Sequence, residues 1–187
     1  MNSPYVHGSD PLENERLRDQ TGTLASLLHA DTAYSAGSLV LKVGCGVDAQ
    51  TLVLAARSSD AHFTSVDDLE TSVAEASVAQ AQQRAARAGL TNVTFRQAGI
   101  FALPFDAASF DHVFISFVLE HLKQPLHALT MLARQLRPGG SMTVIEGDHG
   151  LTAFHPDSAD ARAAISCQIE LQRRAGGNAL IKRQLYR

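Results

Sequence analysis

The sequence of 187 residues has no tryptophan, only two cysteines and no long run of apolar residues. Cys45 and Cys167 cannot form the spaced sets that bind zinc, nor a framework of several disulfides. No apolar stretch approaches the roughly 20 residues of a membrane-spanning helix. The N-terminus also lacks the basic lead and apolar core of a signal peptide. These absences predict a cytoplasmic protein with reduced cysteines and no membrane partner.

An excess of charge of one sign is lacking as well. Sixteen Lys and Arg residues against nineteen Asp and Glu residues give a formal net charge of −3, so we predict no nucleic-acid partner. The short basic patch of Lys182, Arg183 and Arg187 is interpreted as a solvated end of the chain. The 45% of apolar residues that are present suffice for the core of one α/β domain.

Short apolar strands alternate with helical patterns along most of the chain. Strands are predicted at residues 38–43, 62–67, 93–98, 112–118 and 141–146. Helices are predicted at residues 48–57, 125–136 and 157–175, with a long Ala-rich helix that ends at Gly89. This alternation favours an α/β fold with a doubly wound parallel sheet.

The first predicted strand ends in Gly44-Cys45-Gly46, a turn of the kind that holds nucleotide cofactors. In a parallel sheet, ligands bind beyond the carboxyl ends of the strands, where the strand order reverses. Glycine lets the backbone approach a ligand closely, and Asp67 ends the second strand where a carboxylate can accept ribose hydroxyls. The run GCGVDA also satisfies the dinucleotide fingerprint, so NAD stays a second candidate on the loop alone.

Two later segments distinguish between these cofactors. Residues 99–122 (GIFALPFDAASFDHVFISFVLEHL) and 136–146 (LRPGGSMTVIE) resemble the class I S-adenosylmethionine-dependent methyltransferases, closest to the branch with the quinone-biosynthesis C-methyltransferases. The similarity rests on LPF…SFD before the fourth strand, LEH after it and L-x-P-G-G before the fifth. The resemblance implies a Rossmann-like sheet, S-adenosylmethionine as cofactor and methyl transfer to a small-molecule acceptor.

The same resemblance suggests a division of the chain. It implies an N-terminal arm and helix (1–34), an S-adenosylmethionine-binding Rossmann-like domain (35–150) and a C-terminal helical segment (151–187). The family's sheet has seven strands, and this chain ends where relatives continue toward the sixth and seventh. We therefore expect five strands, with the fifth as an open edge through which two copies could form a homodimer.

The cofactor site implied by the resemblance follows the carboxyl ends of the first four strands. Its members are Lys42, Gly44, Cys45, Gly46, Asp67, Asp68, Leu69, Gly99, Ile100, Phe101, Ser116 and Phe117. Asp67 would hold the ribose hydroxyls, and Ile100 and Phe101 would border the adenine ring. Ser116 and Phe117 would face the methyl group. Packing in an ordinary core is the alternative for the two phenylalanines.

Four departures from the family pattern lie at or beside this site, and one of them is the loop after Asp67, which reads DLETS where relatives lead more directly into the helix. Lys42 stands where the family has an acid for the positively charged methionine end, Asp48 replaces a glycine, and Gly99 replaces Asp or Asn. A unit charge at ~6 Å with an effective dielectric of ~20 is worth roughly 3 kcal/mol. Lys42 could avoid this repulsion by turning its ammonium to water, or by forming a salt bridge with Asp48. The alternative function is a degenerate or truncated methyltransferase fold with weak or no cofactor binding, acting as an interaction module.

Several polar residues follow the fifth strand in EGDHGLTAFHP, namely Glu146, Asp148, His149 and His155. His149 is the candidate general base, because imidazole can accept a proton near neutral pH from a hydroxyl, a thiol or an acidic carbon. Hydrogen bonding within the loop, including a cap by Asp148, is the alternative. The spacing matches no standard metal site, and no metal is predicted.

Overall fold

The computed structural model describes residue 19 and residues 22–25, 27–44, 49–67 and 72–185. This part of the chain contains five strands: β1 (Leu39–Val43), β2 (His62–Asp67), β3 (Val93–Gln97), β4 (Phe110–Ser116) and β5 (Leu136–Ile145). The α-helices whose first and last residues the structure gives are α1 (Ala49–Arg57), α2 (Ser72–Arg87), α3 (Pro125–Ala133) and α4 (Ala159–Arg174). Short 3-10 helices lie at Leu119–His121, His149–Leu151 and Ile181–Gln184.

The five strands form one parallel sheet in the order β3-β2-β1-β4-β5. This confirms the predicted doubly wound α/β sheet. The strand order reverses at β1, which pairs with β2 on one side and β4 on the other. Because all strands run in the same direction, their carboxyl ends meet at one edge of the sheet, where ligands bind in folds of this kind. These ends are Val43, Asp67, Gln97, Ser116 and Ile145.

The core lies on both faces of the sheet, because helices cover both sides. Val40 and Leu41, neighbours in β1, are both fully buried, which is why this strand is a continuous apolar run without alternation. One face packs Phe63 and Phe114 against α1. Ile115 lies in the cluster on the other face.

The start of β5 differs from the prediction. Helix α3 ends at Ala133, and β5 already begins at Leu136, so the RPGG run lies inside the strand and does not form a turn before it. The pairing of β4 with β5 shifts by several residues here, as in a β-bulge. Gly140 permits the close approach, since a Cβ at that position would lie 2.7 Å from the Asp111 carbonyl oxygen.

No helix among the described residues is long and apolar enough to cross a membrane. In the sheet formed by these residues, β5 pairs with β4 alone and is therefore an edge strand, as predicted.

Candidate functional site

Gly44 follows β1 at the point where the strand order reverses. It has a φ of 73°, and a Cβ at this position would lie 2.2 Å from Cγ2 of Val118 in the turn after β4. Its N–H donates to the Val66 carbonyl at 2.9 Å. The glycine is thus needed for the close approach of the Val118 side chain at the carboxyl edge of the sheet, here called the cofactor edge. Other predicted site residues, Cys45, Gly46, Asp68 and Leu69, lie outside the described part of the chain, as does Asp48.

Lys42 does not turn its ammonium to water. The residue is only 2% exposed, and its Nζ donates a hydrogen bond to the Gly44 carbonyl oxygen. Together with burial and Arg57, its charge lowers the pKa of the buried His29 imidazole. A positive charge is therefore held beside Gly44, in the turn that follows β1. The proposed partner Asp48 is not described, and the salt bridge between them stays a hypothesis.

The residues that follow β3 differ in their exposure. Ile100 is only 4% exposed and belongs to the core cluster below the sheet edge. Phe101 is 42% exposed, and its ring lies 5.3 Å from the imidazole of His127, centroid to centroid. The ordinary-core alternative is therefore wrong for Phe101, which lies on the surface. Gly99 offers its carbonyl oxygen to the Ala102 N–H at 2.9 Å and has no side chain.

The turn after β4 is strained. Phe117 has a φ of 54°, a left-handed conformation that costs a side-chain-bearing residue about 1 kcal/mol or more, and such strain concentrates at functional sites. Its N–H donates to the Ile145 carbonyl at 2.9 Å, which holds the turn against β5. The preceding Ser116 is only 6% exposed, and its hydroxyl has no hydrogen-bond partner among the described residues. Asp67 ends β2 on the other side of β1, half-buried.

Glu146, the first residue after β5, stabilises this turn. Its Oε1 accepts hydrogen bonds from the N–H groups of Val118 at 3.0 Å and Leu119 at 2.8 Å. Within the described part of the chain, its Oε2 is buried without a hydrogen-bond partner. Burial raises the pKa of Glu146 to about 7, and the nearby Glu120 carboxylate adds to the rise. The side chain thus caps the 3-10 helix Leu119–His121 and can hold a proton at neutral pH.

His149 forms a pair with a buried carboxylate. Its Nε2 lies 3.1 Å from Oε2 of Glu120, a residue that is 4% exposed. A Cβ on Gly147 would lie 3.7 Å from the His149 ring and 3.9 Å from the Phe117 ring, so both rings border the same point beside the strained turn. Among the described residues, Nδ1 of His149 has no hydrogen-bond partner. When Nε2 carries the proton and donates a hydrogen bond to Glu120, Nδ1 is left as a proton acceptor.

The other polar residues after β5 do not join this pair. Asp148 accepts from the Gly150 N–H at 3.0 Å, which is the predicted cap, and it also binds Arg183 through distances of 2.5 and 3.0 Å. Arg183 is exposed, as expected for a solvated end, but it also forms this ion pair, which the sequence interpretation did not include. Hydrogen bonding to Arg183 lowers the pKa of Asp148. His155 is exposed, and the described residues contain no cluster of three or more metal-ligating side chains.

Glu120 is the residue that the sequence interpretation missed. It was treated only as the middle letter of the LEH landmark. The available signal was an acidic residue directly after a buried strand and beside the apolar Leu119, where a charge is costly unless it is paired.

Comparison with known proteins identifies the family to which this fold belongs. A model of the methyltransferase domain matches residues 41–144. The 27-O-demethylrifamycin SV methyltransferase of Amycolatopsis mediterranei (strain S699) is 31% identical over 139 residues, 74% of this chain and 49% of that protein. The demethylmenaquinone methyltransferase of Clavibacter sepedonicus is 35% identical over 111 residues, 59% of this chain and 42% of that protein.

Solved structures share the fold. A SAM-dependent methyltransferase from Aquifex aeolicus superimposes with a TM-score of 0.64 at 20% identity, over 89% of this chain and 88% of that chain. The chain spans about half the length of the curated relatives it matches.

Proposed function

Because the chain belongs to the methyltransferase domain family and has its α/β fold, we propose that it transfers a methyl group from S-adenosylmethionine to a small molecule. The observation that carries this proposal is the pairing of His149 with the buried Glu120 at the carboxyl edge of the sheet. This edge is where parallel α/β folds bind their cofactors. Two relatives are named for a demethylrifamycin and a demethylmenaquinone, which favours a small-molecule acceptor here too.

The described residues at the cofactor edge fit the nucleoside part of S-adenosylmethionine. Gly44 keeps the turn after β1 compact where the strand order reverses, and Asp67 ends β2 where a carboxylate can hold ribose hydroxyls. The buried Ser116 hydroxyl has no partner in the part of the protein that the structure describes, and it can bond to a ligand. S-adenosylmethionine supplies a reactive methyl group on a positively charged sulfur. The chain itself has to orient the acceptor and remove its proton.

His149 is the residue that we assign to the removal of this proton. Its Nδ1 accepts the proton that a hydroxyl, thiol or acidic carbon loses as it becomes a nucleophile. Glu120 accepts the Nε2 hydrogen bond, fixes the orientation of the ring and balances the charge of the imidazolium. The buried position of Glu120 strengthens this interaction, because little water competes for the carboxylate.

Lys42 supports a second candidate function. Its buried ammonium on the Gly44 carbonyl puts a positive charge where the resemblance places the positively charged methionine end. Like charges at this range repel by up to several kcal/mol. A methyltransferase fold that has lost its cofactor and acts as an interaction module would account for this residue.

Calorimetric titration with S-adenosylmethionine and S-adenosylhomocysteine distinguishes the two candidates, with NAD as the negative control. Micromolar binding of the first two ligands supports the enzyme. If the wild type gives no heat of binding and the double variant Lys42→Glu with Asp48→Gly does, the degenerate fold is supported. His149→Ala is the matched variant at the same edge, and it should leave both affinities unchanged because His149 acts on the acceptor.

A further inference from the structure

The segment of residues 172–183, from the end of α4 through the last 3-10 helix, contacts both members of the Glu120–His149 pair. It lies outside residues 41–144, which match the methyltransferase domain. We propose that the 172–183 segment positions the pair, with Gln172 as the positioning residue on the Glu120 side and Arg183 on the His149 side. The description of the pair as a general base rests on the proposed function.

On the Glu120 side, two donors converge on one carbonyl oxygen. Nε2 of Gln172 donates to the Glu120 carbonyl at 2.9 Å, and the N–H of Asn178 donates to it at 2.7 Å. Gln172 is only 1% exposed, so its amide cannot exchange this bond for one to water. A Cβ on Gly177 would lie 2.3 Å from the same oxygen. The backbone of Glu120 is therefore enclosed by the segment.

On the His149 side, the segment binds both the backbone of the residue and the side chain before it. The His149 N–H donates to the Ala179 carbonyl at 3.0 Å. Arg183 binds the Asp148 carboxylate through Nε at 2.5 Å and Nη2 at 3.0 Å, a two-point contact that fixes orientation as well as distance. Only 2% of the Asp148 side chain is exposed.

These contacts explain how two residues that are 29 positions apart keep a side-chain distance of 3.1 Å. Glu120 lies in the 3-10 helix that follows β4 and His149 in the 3-10 helix that follows β5, and the two turns also meet through the Glu146 side chain. One segment bonded to both turns restrains their separation. The restraint acts through the backbone of Glu120 and the neighbour of His149, so neither Gln172 nor Arg183 has to touch an acceptor.

The test is the Nε2–H proton of His149, observed by NMR of protein with ¹⁵N-labelled histidine and assigned by its loss in His149→Ala. A proton held by a buried carboxylate should give a low-field signal that exchanges slowly with water. Gln172→Met keeps the volume of the side chain but removes the donor, and it should speed this exchange about tenfold. Arg183→Met should do the same. Gln168→Met, one turn earlier on α4, is the matched control and should change nothing.

Equal exchange rates in wild type and in both variants would overturn the proposal, as would the absence of the signal from the wild type. If Gln172→Met does not fold, Arg183→Met decides, because half of the Arg183 side chain is exposed and its loss leaves no buried gap. S-adenosylhomocysteine titration of the same samples separates the two proposals. No binding with a change in exchange refutes the methyltransferase, whereas binding without a change in exchange refutes the positioning role alone.

Discussion

Glu146 should make the protein less stable as the pH rises toward neutrality. Burial raises the pKa of this carboxyl to about 7 in the folded protein, from an ordinary value of 4.5. Between these two values the folded protein keeps a proton that the unfolded chain has released. Unfolding then releases a proton, so the free energy of unfolding falls with rising pH. Glu146→Gln removes this dependence but keeps an oxygen for the N–H groups of Val118 and Leu119.

The size of the effect follows from the difference between the two pKa values. One unit of pKa corresponds to about 1.4 kcal/mol, so the rise from 4.5 to about 7 amounts to about 3 kcal/mol. This stabilisation is fully present below pH 4.5 and is lost as the pH rises through about 7. The Gln variant resembles the protonated carboxyl. Its free energy of unfolding relative to that of wild type should therefore rise by about 3 kcal/mol from about pH 5 to about pH 8.

Urea unfolding followed by circular dichroism over this pH range measures the difference directly. Glu170→Gln is the control, because hydrogen bonds from Arg173 and Arg174 hold the pKa of the exposed Glu170 at about 2. Its contribution has the opposite sign and is lost only in acid, so the slope near neutrality should stay as in wild type. A constant difference between wild type and Glu146→Gln across the range would refute the reasoning.

Four further variants test the site and the fold. His149→Gln should slow methyl transfer by about 10²-fold or more in a radiolabel assay, with unchanged affinity for S-adenosylhomocysteine, since it removes only the base; equal rates would exclude that role. Gly44→Ala should lower the free energy of unfolding by about 2–4 kcal/mol in urea melts, because it adds a clash with Val118 to a strained φ. Gly37→Ala, with a φ of 78° but open space around it, should cost only about 1 kcal/mol. Asn92→Ala should cost about 2 kcal/mol by the same measurement, because the Asn92 amide donates to three carbonyl oxygens; a smaller loss would mean that water replaces it.

The alternation of strands and helices could be predicted from the sequence because it depends on local patterns. The run LVLKV is apolar at nearly every position, and it forms the central strand with helices on both faces. The start of β5 was predicted too late, because Pro138, Gly139 and Gly140 are typical of a turn. In the structure they form an irregular strand end whose pairing depends on β4, which no local pattern contains.

The functional site was only partly predictable for a related reason. The position of His149 at the carboxyl edge of the sheet could be predicted, because it follows the fifth strand directly. Its partner Glu120 and the ion pair of Asp148 with Arg183 join residues 29 and 35 positions apart. Such pairings arise from the packing of turns on one another. For Lys42 the sequence left open whether its ammonium turns to water or pairs with Asp48. The structure excludes water, because β1 lies in the centre of the sheet and leaves the side chain no path to it.

The strand order also determines when the site comes into existence during folding. β1, β2 and β3 are neighbours in sequence and in space, so this half of the sheet can assemble through two short crossovers. The contact of β1 with the β4 strand closes a much longer loop, as in the hydrogen bond between Leu39 and Asp111, which are 72 residues apart. Longer loops close more slowly. A half-folded chain thus has β1, β2 and β3 paired but lacks the Glu120–His149 pair. The unpaired edge of β1 is where such an intermediate is exposed to aggregation.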